Sequence, residues 1–329
     1  MTIEAPRAAL REEVPVLDLS GLDQPGGLER IAAELRQACL GLGFFYVANH
    51  GVPQSLTDGM FAAMRRYFAL PLEERMADLM DQRFKRGFMP HGLSHSPGYD
   101  PDLKESYELA LDLPLDDPDV VKGRLLHGPN HWPERQPWLR AAAEPYFDAT
   151  MDLGRRLLAV FAVSLGLDHD YFLKFCNKPM MHMRLFHYPP QPAGDSDLLF
   201  GVRPHADLGM LTLLNQDPIG GLELQKRDGE WVGAPYIPGT FVINIGDLFR
   251  VWTNDLYIST PHRVINRTGK ERYSVPTFFC LDYDTPIACL PSCLEAGATP
   301  KYPEVKAGEY VESRLSRSYR DPAEFNVAA

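Results

Sequence analysis

The chain has 329 residues, of which 45% are hydrophobic and 23% charged, and its formal net charge is −11 at pH 7. This composition is typical of a globular protein with a large core, and its acidity argues against a nucleic acid or an anionic membrane as partner. The N-terminus has no apolar signal segment, and no stretch approaches the roughly 18 apolar residues of a membrane span. We therefore expect a cytoplasmic protein.

The cysteines support the same expectation. The five of them are odd in number and scattered, and only Cys289 and Cys293 lie close together. No further ligand residues accompany that pair in the pattern of a metal knuckle. Such a set is typical of reduced thiols in a reducing compartment.

Strand patterns and amphipathic helices alternate in the first half of the chain. Apolar spacing predicts helices over residues 27–42, 54–70, 136–165 and 168–176. Alternating or continuous apolar runs predict strands over residues 14–19, 44–48 and 104–114. Between them, residues 78–104 are rich in Gly, Pro, His and Met without a clean period, as in long functional loops.

From residue 181 the pattern becomes β-rich. Short strand-like runs separated by turn residues cover 181–188, 209–216, 221–225, 240–246, 257–266 and 272–282. A double-stranded β-helix, or jelly roll, fits this number of strands and can enclose a site. The predicted fold class is therefore mixed α and β, with a jelly-roll core and flanking helices that include a segment near residues 308–320.

Three residues in the β-rich half form a candidate metal site. His205 and Asp207 are two residues apart, and in a strand such side chains share a face. His262 opens another strand-like run and could face them. Two imidazoles and one carboxylate are the facial triad of non-haem iron oxygenases, which leaves open positions on the ion. A structural zinc site would be closed by four ligands, usually including Cys.

A candidate anion clamp follows the third ligand. Arg272 and Ser274 share a strand face, and a guanidinium with a hydroxyl suits a carboxylate. An arginine inside the apolar run RYSVPTFFCL is costly unless it is paired. Its partner is either a bound anion or a structural Asp or Glu.

The motifs in this order resemble the isopenicillin N synthase-like family of non-haem Fe(II), 2-oxoglutarate-dependent oxygenases. The resemblance covers nearly the whole chain. Its early stretches are VPVLDLS (14–20), GFFYVANHGVP (43–53), KESYELALDLP (104–114) and GPNHWP (128–133). Its later stretches are MRLFHYPPQP (183–192), HADLGMLTLL (205–214), FVINIGDLF (241–249), STPHRVI (259–265) and RYSVPTFF (272–279).

The resemblance implies roles for individual residues. It implies iron ligands at His205, Asp207 and His262, and co-substrate contacts from Arg272, Ser274 and Tyr188. Relatives often carry Asn where this chain has Phe186. Residues 84–99 resemble the variable part of a substrate lid. The candidate substrate contacts are Phe278, Phe88 in this lid, and His187 beside Tyr188.

The resemblance also implies an organisation in three regions. Residues 12–135 match the N-terminal region of non-haem dioxygenases, residues 178–285 the jelly-roll oxygenase domain, and residues 300–322 a C-terminal helix that packs on the core. The implied molecule is a monomer or a weak homodimer with a small-molecule substrate.

The implied reaction is the oxidation of a substrate C–H bond by hydroxylation, desaturation or cyclisation, with release of succinate and CO₂. Fe(II) is the implied cofactor, 2-oxoglutarate and O₂ are co-substrates, and ascorbate is an optional reductant. Two alternatives remain open. One is an Fe(II) oxidase of the isopenicillin N synthase type, in which Arg272 and Ser274 bind a carboxylate of the substrate itself. The other is a non-catalytic ligand sensor on the same fold.

Overall fold

Two β-sheets of unequal size form the centre of the fold, and the computed structural model describes residues 5–93, 101–191 and 199–315. The strands are β1 (Val16–Asp18), β2 (Phe44–Ala48), β3 (Gly87–Met89), β4 (Glu105–Ala110), β5 (His182–Tyr188), β6 (Val202–His205), β7 (Leu211–Gln216), β8 (Leu222–Gln225), β9 (Trp231–Gly233), β10 (Thr240–Ile245), β11 (His262–Val264), β12 (Arg272–Phe279), β13 (Pro286–Ile287) and β14 (Val305–Lys306). The helices are α1 (Gly27–Leu40), α2 (Gln54–Phe68), α3 (Leu72–Met76), α4 (Pro118–Val121), α5 (Pro137–Ser164), α6 (Asp247–Trp252) and α7 (Ala307–Leu315).

The strand order is that of a jelly roll. The larger sheet runs β1-β2-β10-β7-β12-β5-β4-β3, and the smaller one runs β6-β11-β8-β9. Apart from the parallel pair β1–β2, the neighbouring strands of both sheets are antiparallel. Strands from the N-terminal part extend both edges of the larger sheet, so the N-terminal region and the jelly roll share one sheet. The predicted fold class is confirmed.

Alternation along β5 and β12 gives the larger sheet two different faces. Met183, Val275 and Phe279 belong to the main hydrophobic core, which the helices complete. On the opposite face Tyr188 packs in a second cluster with Leu222 of the smaller sheet. The space between the two sheets is therefore walled by every second residue of these strands.

Helix α5 supports the outer face of the larger sheet, and α1 and α2 pack against it. Its apolar positions recur at helical spacing, and Phe147, Met151, Leu158 and Phe161 are buried. Within the described ranges, no helix has the length and apolar character needed to cross a lipid bilayer.

The structure corrects several predicted elements. The run 257–266 contributes only β11, and the helix expected at 168–176 is reduced to one 3₁₀ turn at Leu173–Phe175. Strand β6 lies outside the predicted strand runs and contains Pro204. Pro is tolerated there because β6 is an edge strand. Of the expected C-terminal helix, α7 is observed and residues 316–322 lie outside the described ranges.

Substitutions at two glycines test how helix α5 packs on the larger sheet. A Cβ added to Gly154 of α5 would lie 2.4 Å from the Phe279 ring of β12. We expect Gly154→Ala to lower the free energy of unfolding by about 1–3 kcal/mol through overpacking. Urea denaturation measures the change.

The matched control is Gly59→Ala in α2, where an added Cβ meets nothing within 4 Å. Because alanine is the better helix former, this variant should gain about 0.5–1 kcal/mol. Equal stability of the Gly154→Ala variant and the native chain would contradict the packing described for α5 and β12.

Candidate active site

The three candidate metal ligands come together at one edge of the smaller sheet. His205 is the last residue of β6 and is paired with His262, the first residue of β11. Their ring centroids are 4.2 Å apart. The Oδ1 atom of Asp207 lies 3.4 Å from Nε2 of His205 and 3.7 Å from Nε2 of His262. The three residues therefore lie together. The expectation that His205 and Asp207 share a strand face is wrong, because Asp207 lies beyond the end of β6.

Hydrogen bonds set the tautomer of both imidazoles. Nδ1 of His205 is 2.7 Å from the carbonyl of Arg203, and Nδ1 of His262 is 3.1 Å from the carbonyl of Thr260. Because a carbonyl oxygen only accepts, each Nδ1 carries a proton, and each Nε2 is the ring atom left to bind a metal. Burial lowers the pKa of His262 to about 4, and the neighbouring His205 adds to this, so His262 is neutral at pH 7.

The carboxylate of Asp207 is oriented by its other oxygen. Oδ2 accepts hydrogen bonds from Nδ2 of Asn244 at 2.7 Å and from the hydroxyl of Thr212. Burial works against ionisation of Asp207. At the acid pH where Asp207 titrates, the positive charge of His262, the contact with His205 and the hydrogen bond from Asn244 outweigh burial, so the pKa of Asp207 lies well below its usual range. Oδ1 therefore faces the two imidazoles as an ionised ligand atom.

These donors fit a divalent metal ion. One nitrogen of each histidine and one oxygen of Asp207 all lie within 4.8 Å of one another. Cis ligands at ~2.1 Å from one ion would be ~3 Å apart, so the cluster needs only small side-chain adjustments. Two neutral imidazoles with one carboxylate are the donor set of non-haem iron(II) sites.

Arg272 is a fully buried cation in the same cavity. Its Nη1 donates to the Ser274 hydroxyl at 3.1 Å and its Nη2 to Gln216 Oε1 at 3.2 Å, while Nε donates to the carbonyl of Gly220. The Tyr188 ring lies 4.5 Å from the guanidinium. No carboxylate of the described residues forms an ion pair with Arg272. Its charge does act on the buried Asp217, whose pKa is raised by burial and lowered by Arg272.

A cavity of about 330 Å³ connects the triad and Arg272. Even-numbered residues of β5 and β12 form one wall, as the alternation requires: His182, Arg184, Phe186, Tyr188, Arg272, Ser274, Pro276 and Phe278. Burial lowers the pKa of His182 to about 4, although Glu108 acts in the opposite direction. His182 is therefore a neutral part of the wall at pH 7. Phe278 lies in the cavity as predicted.

Two expected substrate contacts are not at the cavity. Phe88 is fully buried in β3 within the main core, beside Tyr67. His187 lies on the helix-facing side of β5, where its Nδ1 is 2.8 Å from Glu105 Oε1 and its ring stacks on Tyr273. Adjacent strand residues face opposite sides, so the neighbour of Tyr188 could not share its surroundings. Residues 94–99 of the proposed lid lie outside the described ranges.

The residues that orient Asp207, Asn244 and Thr212, were not predicted from the sequence. Asn244 stands in the family-like stretch FVINIGDLF, and Thr212 follows Asp207 by five positions. Their strands, β10 and β7, are paired with Asn244 directly opposite Thr212. The isolated polar residue Asn244 in an otherwise apolar buried strand was the available signal.

Comparisons with known proteins agree with this geometry. Residues 14–135 match the family described as non-haem dioxygenase in morphine synthesis N-terminal, and residues 179–281 match the 2OG-Fe(II) oxygenase superfamily. A 2-oxoglutarate-Fe(II) type oxidoreductase from Emericella nidulans is 36% identical over 93% of this chain and 90% of its own. Kihadalactone A synthase from Citrus sinensis is 33% identical over 96% and 97%.

Solved structures give the same result. A full-length Neurospora crassa protein in complex with alpha-KG superposes with a TM-score of 0.82 at 26% identity, covering 95% of this chain and 99% of that one. A 2OG-Fe(II) oxygenase family protein from Caulobacter crescentus gives 0.83 at 30% identity, covering 93% and 99%.

The fold and the cluster of donors define a jelly-roll oxygenase that works with a non-haem metal. More narrowly, the chain belongs to the 2OG-Fe(II) oxygenase superfamily and, within it, to the isopenicillin N synthase-like enzymes, which use Fe(II) and 2-oxoglutarate. It is an oxidoreductase that acts on a small molecule.

Removing the side chain that orients Asp207 should weaken metal binding. In Asn244→Ala the carboxylate loses its 2.7 Å hydrogen bond, and we expect about 10–100-fold lower affinity for Fe(II) or Co(II). Anaerobic titration with either metal measures the dissociation constant.

Asn215→Ala is the matched control, a buried asparagine on β7 whose amide contacts Thr57. It should bind metal as the native chain does. An equal loss in both variants would attribute the effect to general destabilisation and contradict a specific role of Asn244.

Proposed function

We propose that His205, Asp207 and His262 hold Fe(II) in this enzyme, and that Arg272 with Ser274 and Tyr188 holds the far carboxylate of 2-oxoglutarate. The buried guanidinium of Arg272 lies in the same cavity as the triad and forms no ion pair with a described carboxylate, and this observation carries the assignment. A buried cation is costly unless an anion accompanies it, and a planar fork of donors matches a carboxylate.

Each residue then has a defined task. When bound, the iron supplies the activation of O₂ that couples decarboxylation of 2-oxoglutarate to oxidation of a substrate C–H bond. The Nε2 atoms of His205 and His262 and the ionised carboxylate of Asp207 would give the ion three ligands with one negative charge and leave adjacent positions for other ligands. Arg272 fixes the orientation of the co-substrate, and the apolar wall with Phe278 excludes water and faces the substrate.

The competing assignment is an oxidase without 2-oxoglutarate, in which Arg272 and Ser274 bind the substrate. The relatives named as 2-oxoglutarate-dependent enzymes and the solved neighbour with alpha-KG support the co-substrate assignment. An anaerobic mixture of the protein, Fe(II) and 2-oxoglutarate should develop the charge-transfer absorption of the chelate. Substrate oxidation without that band and without succinate would favour the oxidase.

We further propose the three-region organisation expected above: residues 12–135, the jelly-roll region 178–285 and the C-terminal helical region 300–322. The two family matches support the first two, and the buried Ala307, Tyr310 and Val311 of α7 support the third. A monomer or weak homodimer in the cytoplasm completes the proposal. All five cysteines are free thiols, in keeping with a reducing compartment. Light scattering during gel filtration tests the oligomeric state.

Removing a ligand should end turnover. His205→Ala and Asp207→Ala each leave two of three protein donors, and we expect loss of succinate formation to the level of the iron-free background. The assay is 2-oxoglutarate consumption with Fe(II) and O₂, with and without substrate. Turnover at native rates in either variant would exclude the triad as the metal site.

Replacing the guanidinium of Arg272 by an amine should weaken the binding of 2-oxoglutarate. Arg272→Lys keeps the charge but loses the paired donors to Ser274 and Gln216. A charge-assisted hydrogen bond contributes about 1.5–3 kcal/mol, so we expect about 10–100-fold weaker binding of 2-oxoglutarate. Titration of the charge-transfer band measures it.

Arg263→Lys is the control for this substitution. Arg263 is also buried and lies beside His262, but it binds Glu223 at 2.7 Å. Its replacement should leave the affinity for 2-oxoglutarate unchanged. Unchanged affinity in Arg272→Lys would reject the assigned clamp.

A further inference from the structure

The cavity wall carries more charged residues than the triad and Arg272 account for. The others that line it are Asp102, Lys104, Arg184, Arg203 and Arg314. Asp102 lies between two of these cations, because it pairs with Lys104 and lies 3.2 Å from Nε of Arg203.

A second carboxylate, that of Glu108, lies behind the cavity wall and pairs with Arg184. Glu108 is fully buried, and its Oε2 lies 2.9 Å from Nε of Arg184 and 2.7 Å from Nε2 of the neutral His182. Burial opposes ionisation of Glu108, but Arg184 and His182 outweigh it and lower the pKa to about 2. Arg184 therefore has a carboxylate of its own beside it, and Lys104 and Arg203 share the carboxylate of Asp102.

Arg314 differs from these three cations. It projects from α7, is exposed, and lines the cavity together with Val311 and Leu315 of the same helix face. Its Nη1 contacts the carbonyl of Tyr310 and the hydroxyl of Ser313, each at 3.4 Å, and its guanidinium lies 3.5 Å from the Tyr310 ring centroid. No carboxylate of the described chain pairs with Arg314.

The metal and the co-substrate are balanced in charge without Arg314. Fe(II) with Asp207 carries one positive charge and Arg272 another, and the two negative charges of 2-oxoglutarate balance them. The charge of Arg314 is left for a further anion, and so is the one positive charge that remains where Lys104 and Arg203 share Asp102. A concave site with low-dielectric walls concentrates the electric field of its charged residues and attracts ligands of the opposite sign.

Apolar side chains also line this cavity. Leu126, Met180, Phe278, Val311 and Leu315 line it, and the guanidinium of Arg184 lies 5.4 Å from the Phe278 ring. A wall of this kind suits an apolar body, while a small number of polar groups fixes its orientation.

We propose that the substrate is an organic acid whose carboxylate binds Arg314 and whose apolar body lies along Leu126, Met180 and Phe278. The proposal rests on the function proposed above and adds to it the chemical class of the substrate and a specificity-determining residue on the C-terminal helix.

Matched acids and amides test the charge requirement. The full chain, loaded anaerobically with Fe(II) and 2-oxoglutarate, is titrated calorimetrically with 3-phenylpropionate, 3-phenylpropionamide, octanoate and octanamide. Each acid should bind at least about tenfold more tightly than its amide, since only the acid forms a charge-assisted pair. Succinate formed without any substrate is measured separately and reports the proposed function alone.

Substitutions at single residues test whether Arg314 causes the tighter binding of acids than of amides. Arg314→Gln should weaken binding of the acids about tenfold and leave that of the amides unchanged, and Arg314→Lys should restore part of the difference. Lys306→Gln is the control, because it removes an exposed cation next to α7 that does not line the cavity. Equal affinity for acid and amide, no binding of either acid, or unaltered acid binding in Arg314→Gln would each overturn the proposal.

Discussion

The antiparallel pairing of β6 with β11 is the constraint on which the site depends. It sets His205 directly opposite His262, two residues far apart in the sequence, with their rings 4.2 Å apart. The carbonyls of Arg203 and Thr260 then turn both Nε2 atoms toward Asp207. A shift of one residue in this register would direct one imidazole to the other face of the sheet and remove one of the three proposed metal ligands.

The larger sheet separates stability from chemistry by the same alternation. Odd-numbered residues of β12, such as Val275 and Phe279, complete the main core under the helices. Even-numbered residues, such as Arg272 and Ser274, face the cavity. Substitutions on the two faces should therefore have different consequences: the first group acts on folding, and the second acts on what the cavity binds.

Charge balance distinguishes the cations of the cavity. Lys104 and Arg184 lie against Asp102 and Glu108, whereas Arg272 and Arg314 have no carboxylate partner among the described residues. For the buried Arg272 this is unfavourable until an anion binds, because a buried charge is stable only when it is paired. Arg314 is exposed and bears no such cost, so it adds attraction for an anion without lowering the stability of the free enzyme.

The sequence alone determined the fold class and the order of most elements. It also identified His205, Asp207 and His262 as the proposed metal ligands, and Arg272 with Ser274 as the proposed clamp. These features follow from local alternation and from motif spacing, which the chain carries in each short stretch. Only the tertiary structure decided that His187 lies on the core side of β5, that Asn244 and Thr212 hold Asp207, and that α7 brings Arg314 to the cavity. Those facts depend on which strands pair and which helix returns to the sheet, and such long-range contacts leave no periodic pattern in the sequence.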